Sequence, residues 1–577
     1  MTALITFENV HHRPESLPAE QPDILNGISL EIPAGSFVAI VGENGSGKTT
    51  LIKHINGLLL PTNGRVLVKG MDTRDEQQRR KLRSLVGMVF QNPADQIVAS
   101  TVEEDVAFGL ENTNLPTAEI RNRVAAQLAR VGLADEARRP PHLLSGGQVQ
   151  KVALAGVLVR EPEILLFDEP TTMLDPHARE AFLAGLVDLN RQGLTVVIVT
   201  HHMEEAALAD YVIGMKSGQG AFCGVPDLVF NDEKCLYEIG LDLPESVALA
   251  NKFRDLGWNI PASVLTPKDL LTSLPSYQGN HKKVVPQTPS SQSESSDIFI
   301  RMNDVHYTYL AGTPLAKPAL RGVNLDLSPR QIHAIAGTNG SGKSTLLQHL
   351  NGILRPASGK VQVGKFPLED PETPLRDVVR QVGLVFQSPE TQFFEVFVGD
   401  EIAYGPKQFG MEDLRERVRA AMNQVGLNFD SFKDRRQETL SGGEKRKVAL
   451  ASTLILDQPV LLFDEPTAGM DPRARDELLR LFSHLCEKGK TILIASHRLN
   501  ELARIGDSLS LMQDGRMSRS GIAREVLFDP AALRDAGLAP PLAVAVSQAL
   551  IEKGWPLAGT APTTIARLSA ALREVGP

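Results

Sequence analysis

Aromatic side chains are scarce in this chain: two Trp, six Tyr and 21 Phe make up 5% of 577 residues. Cysteine is scarcer still. Cys223, Cys235 and Cys486 form no CxxC pair and have no plausible set of histidines beside them, which argues against a disulfide framework or a zinc module and fits a reducing compartment. There is no basic excess either. Sixty Lys and Arg against 69 Asp and Glu leave a formal charge of −9, which argues against a nucleic-acid carrier. No apolar stretch approaches the roughly 18 residues that a membrane span requires. The apolar runs at residues 164–167 and 460–463 have the length of buried strands. The first eight residues carry no basic segment followed by an apolar one, so they read as a strand and not as a signal peptide. A membrane process served by this protein would need its membrane part from other chains.

What is present is a chain written twice. Composition is that of a globular protein, 42% hydrophobic and 22% charged, and the length calls for several domains. Gly45-Ser-Gly-Lys-Thr recurs as Gly340-Ser-Gly-Lys-Ser, Phe90-Gln91 as Phe386-Gln387, Leu166-Phe-Asp-Glu-Pro as Leu462-Phe-Asp-Glu-Pro, and Gly257-Trp258 as Gly554-Trp555, at offsets of 295 to 297 positions. So constant an offset over so long a stretch means duplication of a whole domain, not a solenoid of short repeats. Between the copies, residues 276–297 are polar, rich in Ser and Pro and without periodicity, and read as a flexible linker. Residues 1–225 and 298–522 are the two copies. Residues 226–275 and 523–577 are their small C-terminal tails. In each copy, unbroken β-branched and Leu runs alternate with helical patterns, which predicts an α/β fold on a mainly parallel sheet.

Two motifs carry phosphate chemistry. Gly42-Glu43-Asn44-Gly45-Ser46-Gly47-Lys48-Thr49-Thr50 and Gly337-Thr338-Asn339-Gly340-Ser341-Gly342-Lys343-Ser344-Thr345 both fit GxxxxGK[ST], after an apolar strand and before a helix. The glycines let successive backbone N–H groups point at phosphate oxygens. The lysine reaches the outer phosphates, and Thr49 or Ser344 can hold Mg²⁺. The following helix adds its positive N-terminus. The second motif is Asp168-Glu169 and Asp464-Glu465 at the end of a buried strand. The first acid can orient a hydrated Mg²⁺ and the second can polarise the attacking water.

With these motifs the sequence resembles the ATP-binding cassette (ABC) ATPases over nearly its whole length, twice. Leu144-Ser145-Gly146-Gly147-Gln148 and Leu440-Ser441-Gly442-Gly443-Glu444 are similar to the family signature. The resemblance implies two P-loop NTPase nucleotide-binding domains in tandem, each with a helical signature subdomain, ATP and Mg²⁺ as cofactors, and hydrolysis of ATP to ADP and phosphate. It implies composite sites, Lys48 pairing with Ser441 and Lys343 with Ser145. Gln91 and Gln387 match the glutamines that touch Mg²⁺ or water. Asp175 and Asp471 match a loop crossing the dimer seam. His201 and His497 match the switch histidine at the γ-phosphate. Two departures stand out. Tyr309 can stack on adenine in the second copy, whereas the first reads Val10-His-His-Arg-Pro14 there, leaving His12 as the candidate substitute. Glu444 replaces the usual Gln and adds a negative charge to one signature.

Three further stretches narrow the resemblance to the ATPases of energy-coupling factor (ECF) transporters, which import vitamins and metal ions. They are Asn92-Pro-Ala-Asp-Gln96 with Ser388-Pro-Glu-Thr-Gln392, Val102-Glu-Glu-Asp-Val with Val398-Gly-Asp-Glu-Ile, and Gly240-Leu-Asp-Leu-Pro with Gly537-Leu-Ala-Pro-Pro. That resemblance implies a peripheral protein on the cytoplasmic face of the cell membrane, with an integral membrane scaffold and a separate substrate-capture membrane subunit as partners and no nucleic acid. Phe393, Phe394 and Phe397 could line a docking groove or simply pack in the core. The rivals are a soluble tandem ATPase acting on ribosomes or DNA and the fused ATPase of a sugar importer. The seam loop lacks the Asn-His of the ribosome-acting relatives, no coiled coil or zinc module is inserted, and both glutamates are present.

Overall fold

The computed structural model describes every residue except 1–2, 15–21, 112–114, 145, 173, 175, 278–298, 314, 558 and 576–577. Ser145, Asp175 and nearly all of the expected linker therefore lie outside the described residues. The chain divides into two compact units. One comprises Met1–Asn251, Pro261–Leu270 and Asp471–Arg473. The other comprises Lys252–Ile260, Leu271–Met470 and Ala474–Pro577. The expected tail 226–275 is thus divided between them.

The first unit contains β1 (Ala3–His12), β2 (Leu25–Pro33), β3 (Phe37–Gly42), β4 (Asn63–Val68), β5 (Met71–Asp72), β6 (Val86–Val89), β7 (Ile164–Asp168), β8 (Thr195–Val199), β9 (Tyr211–Lys216) and β10 (Gln219–Gly224). They form an antiparallel sheet in the order β2-β1-β4-β5, and a second sheet in the order β10-β9-β3-β8-β7-β6 that is parallel except for β10. Strands β3, β7 and β8 are buried along their whole length, which is why they read as unbroken apolar runs. Strand β1 faces the core on one side only, so Ile5 and Phe7 alternate with Thr6 and Glu8. A register slip between Phe7 and Val10, with Asn9 at φ 46°, makes a bulge that turns Val10 and His12 inward together.

One core fills the space between the two sheets, with Ile5, Phe7, Ile40, Leu51, Val66 and Val197. The other face of the parallel sheet packs on helices and on tail residues such as Phe230 and Leu241. There Phe167 is fully buried and meets Phe182 edge-on at 5.7 Å. Truncating it to Ala would cost about 3–5 kcal/mol. A separate helical piece, Val102–Glu111, Thr117–Arg130 and Gly146–Leu158, closes on Val106, Leu128 and Val152.

The second unit repeats this plan with β11 (Ile300–Tyr309), β12 (Lys317–Leu327), β13 (Ile332–Ala336), β14 (Ser358–Val363), β15 (Phe366–Pro367), β16 (Val382–Val385), β17 (Val460–Asp464), β18 (Thr491–Ser496), β19 (Ser508–Gln513) and β20 (Arg516–Ile522). The orders are β12-β11-β14-β15 and β16-β17-β18-β13-β19-β20. The repeated tryptophans both belong to this unit, with ring centroids 4.6 Å apart.

Candidate functional site

Each phosphate loop is the turn between the central parallel strand and a helix. Strand β3 ends at Gly42 and the helix Lys48–Ile55 begins six residues later. Two glycines permit the turn. A Cβ on Gly42 would lie 2.3 Å from Met215 O, and Gly47 caps the helix at φ 98°, a conformation only glycine adopts freely. Lys48 Nζ folds back and donates to Gly42 O and Glu43 O, both at 2.8 Å. Lys343 Nζ does the same to Gly337 O at 2.8 Å and Thr338 O at 3.0 Å. Burial holds the Lys48 ammonium below its ordinary pKa, against the pull of Glu169, Asp168 and Asp471. Asp471 belongs to the first unit, with Lys48. Ser46 Oγ and Ser341 Oγ are buried without a hydrogen-bond partner among the described residues. Buried hydroxyls are rarely left so, and both sit in loops whose curl presents N–H groups to an anion.

The acids stand where the sequence places them. Thr49 Oγ1 donates to Asp168 Oδ1 at 2.9 Å, bringing a hydroxyl and a carboxylate to one spot. Burial pushes Asp168 up to about 6, although the Thr49 hydrogen bond opposes it. Asp464 is likewise pushed up to about 6 by burial, against its hydrogen bond from Ser344, and its Oδ1 has no hydrogen-bond partner among the described residues. A hard divalent cation suits such oxygen donors. Glu169 and Glu465, next along the chain, take φ of 44° and 45°. That left-handed backbone costs a non-glycine residue about 1–3 kcal/mol and is held by its surroundings. Here the hold includes Glu169 N donating to Val199 O at 3.0 Å, and Glu465 N to Ala495 O at 2.8 Å. Burial alone would raise both glutamates, but the adjacent histidine and the loop lysine outweigh it and hold both below the usual range. Both are therefore carboxylates at neutral pH.

The histidines differ. His497 Nδ1 lies 2.8 Å from Glu465 Oε1, within hydrogen-bond distance. His201 Nδ1 stands 3.5 Å from Glu169 Oε2, an ion-pair distance without a hydrogen bond, and both its ring nitrogens are buried without a hydrogen-bond partner among the described residues. Gln91 Nε2 donates to Glu169 Oε2 at 3.2 Å. Two further acids escaped the sequence reading. Glu205 is fully buried and accepts from Thr171 Oγ1 at 2.5 Å, Thr200 Oγ1 at 2.7 Å and Arg179 at 2.8 Å, tying the turn after Glu169 to the strand end before His201. Glu501 accepts from Thr467 in the same way. Their recurrence at an offset of 296 was the available signal.

One expectation is corrected and another is completed. His12 does not stand in for the missing adenine ring. The β1 bulge buries it, its ring meets His54 edge-on at 4.8 Å, and its counterpart is Tyr307, which meets His349 at 4.9 Å. Tyr309 is more than a third exposed and its hydroxyl lies 3.2 Å from Thr345 Oγ1, on the phosphate-loop helix. The extra negative charge of Glu444 is paired. Arg435 lies 3.1 Å away, and Glu444 Oε2 accepts from Ser441 N at 2.8 Å and Oγ at 2.9 Å in a capping box that opens the helix Gly442–Leu454. In the first unit Gln148 Nε2 donates to Glu136 Oε1 at 3.4 Å, and Gly146 and Gly147 begin the matching helix. The three phenylalanines separate. Phe393 packs on the core, while Phe394, stacked on Tyr404 at 5.3 Å, and Phe397 are exposed.

A glycine loop between strand and helix, a lysine over it, an Asp beside a Thr or Ser hydroxyl and a strained Glu beside a His define a phosphate-loop nucleoside triphosphatase, built twice. Known proteins agree. A profile of the ABC transporter family matches residues 25–172 and 320–468. An ABC transporter ATP-binding protein of Caldanaerobacter subterraneus is 33% identical over 546 residues, 92% of this chain and 94% of the relative. One of Methanosarcina mazei is 32% identical over 591 residues, 99% of this chain and 97% of the relative. The energy-coupling factor transporter ATP-binding protein EcfA1 of Symbiobacterium thermophilum is 51% identical over 251 residues, 43% of this chain and 88% of its own length. The chain belongs to the ABC transporter ATP-binding family, as a tandem of two cassettes.

Proposed function

We propose that this protein is the ATP-hydrolysing subunit of an ECF-type importer for a vitamin or a metal ion. The observation that carries the reading is the 51% identity of a half-length stretch to a protein named for that transporter class, well above the 33% of a whole-chain relative. Among the described residues no helix is long and apolar enough to cross a membrane, so transport requires membrane partners: a scaffold subunit and a substrate-capture subunit, with this chain peripheral on the cytoplasmic face. The exposed Phe394 and Phe397, and in the first unit a cleft bordered by Gln96, Val98, Phe108 and Arg160, offer surfaces beside the glutamines for helices of the scaffold.

The residues support the following chemistry. When ATP enters, Lys48 and Lys343 exchange their own loop carbonyls for outer phosphate oxygens, and Ser46 and Ser341 gain acceptors. Thr49 with Asp168, and Ser344 with Asp464, would hold Mg²⁺, assisted by Gln91 and Gln387; the cation supplies charge neutralisation on the phosphates. Glu169 or Glu465 takes a proton from water as its oxygen bonds to the γ-phosphorus and the bond to ADP breaks. His201 and His497 face the same oxygens. Completion of each site by the opposite signature, Ser441 for Lys48 and Ser145 for Lys343, belongs to this proposal, as do the seam roles of Asp175 and Asp471 and the stacking role of Tyr309.

Affinity purification from detergent-solubilised membranes tests the transport reading. Recovery of a polytopic subunit in fixed ratio to this chain is the expected result. Recovery of ribosomes alone would overturn it.

A further inference from the structure

Arg446 sits on the signature helix Gly442–Leu454 of the second unit, and its guanidinium reaches backbone carbonyls outside that helix. It is 9% exposed. Its Nη1 donates to Pro466 O at 2.9 Å and to Ala468 O, in the turn directly after Glu465. Its Nη2 donates to Gln387 O at 2.8 Å. One side chain thus joins three pieces of the second unit: the signature helix, the glutamine loop and the turn after the glutamate. Among the described residues no carboxylate hydrogen-bonds it. Burial, with Arg498 nearby, lowers it to about 10 against the opposing fields of Glu390 and Glu465. It therefore stays charged at neutral pH. A buried cation held only by neutral carbonyls costs free energy and is poor evidence for stability alone.

The first unit provides an internal control. The residue at the same offset is Gln150, 2% exposed, whose Nε2 finds no acceptor among the described residues. A single amide group cannot span three carbonyls as a five-donor guanidinium fork can. The reacting groups match in the two units, but this support exists in one.

We propose that Arg446 is a positioning residue that sets the backbone of Glu465 and Gln387 for hydrolysis at the second phosphate loop, a device the first unit lacks. Because Glu465 already holds a left-handed φ of 45°, the carbonyls just after it are where an anchor would act. This rests on the reading of Glu465 as the residue that activates water.

The test uses the full chain carrying Glu169→Gln, so that turnover reports the second site. Arg446→Gln should lower kcat on the order of 10-fold, the size expected for losing charge-assisted hydrogen bonds that hold a reacting group, with the KM for ATP changed less than about 2-fold. Arg446→Lys, which keeps the charge but not the fork, should recover part of the loss, and it carries the test if Arg446→Gln fails to fold. If Glu169→Gln alone stops turnover, the two sites are obligatorily coupled and the same comparison is made in the otherwise unaltered chain, where a loss at the second site appears in full. An unchanged kcat, a loss that falls on KM, or a lysine variant no better than glutamine overturns the proposal. Glu465→Gln separates the two levels. Should it retain turnover, the reading of Glu465 fails; should it stop turnover while Arg446→Gln does not, this inference alone fails.

Discussion

At the second candidate site Glu465 is held from several directions. His497 Nδ1 lies 2.8 Å from Oε1, Ser496 Oγ donates to Oε2 at 3.0 Å, and the His497 amide donates to Oε1 at 3.1 Å. At the first, Glu169 receives Gln91 at 3.2 Å and Thr172 Oγ1 at 3.5 Å, and His201 stands off at 3.5 Å, its ring nitrogens without a hydrogen-bond partner among the described residues. Tyr309 stands near the second phosphate loop, and the matching position in the first copy is Pro14. Lysine, Asp, Glu and His are present at both. Duplication has thus preserved the groups to which the proposed chemistry is assigned and let the groups that hold them diverge. A side chain that reacts has one acceptable chemistry, whereas a supporting contact has many.

Variants can break that comparison. The largest effect is expected from His497→Ala, which should lower turnover at the second site on the order of 100-fold by freeing a buried, preorganised carboxylate. His201→Ala should cost its own site less, because His201 makes no hydrogen bond to Glu169; steady-state ATPase assays of both variants decide, and equal losses would erase the asymmetry. Tyr309→Ala comes next. Loss of a base stack is worth about 1–3 kcal/mol, so titration calorimetry should show only the second site weakened. His12→Ala should lower stability by about 1–3 kcal/mol, as other core truncations do, and leave ATP affinity unaltered; weakened nucleotide binding would restore it as an adenine contact. The smallest effect is acid sensitivity. Burial lowers His54 and His333 to about 4, from the ordinary 6.5. Their folded-state values lie below the unfolded one, so their contribution is complete above pH 6.5 and is lost as pH falls from there towards 4. Urea midpoints at pH 7 and pH 4.5 should show the drop, and replacing either histidine by Asn should flatten it.

The duplication, the phosphate loops, the acids and the alternation of buried strands with helices were all legible in the sequence, because each rests on residue types that its chemistry or burial demands at fixed spacing. What was not legible depends on partners distant in sequence or on a local slip. His12 looked free until the bulge at Asn9 turned it inward. The extra charge of Glu444 was legible, but not that Arg435 comes to rest beside it. Phe393, Phe394 and Phe397 form one apolar cluster in the sequence, but the backbone turns the first into the core and leaves the others exposed. Arg446 recurs opposite Gln150 in plain view, and its meaning needed the carbonyls of Pro466, Ala468 and Gln387.

ATP turnover of the chain carrying both Glu169→Gln and Glu465→Gln is the most direct measurement of the central claim. Losing two general bases should lower hydrolysis by about 10²–10⁴-fold while ATP still binds. Brisk hydrolysis by that double variant would contradict the account of both sites.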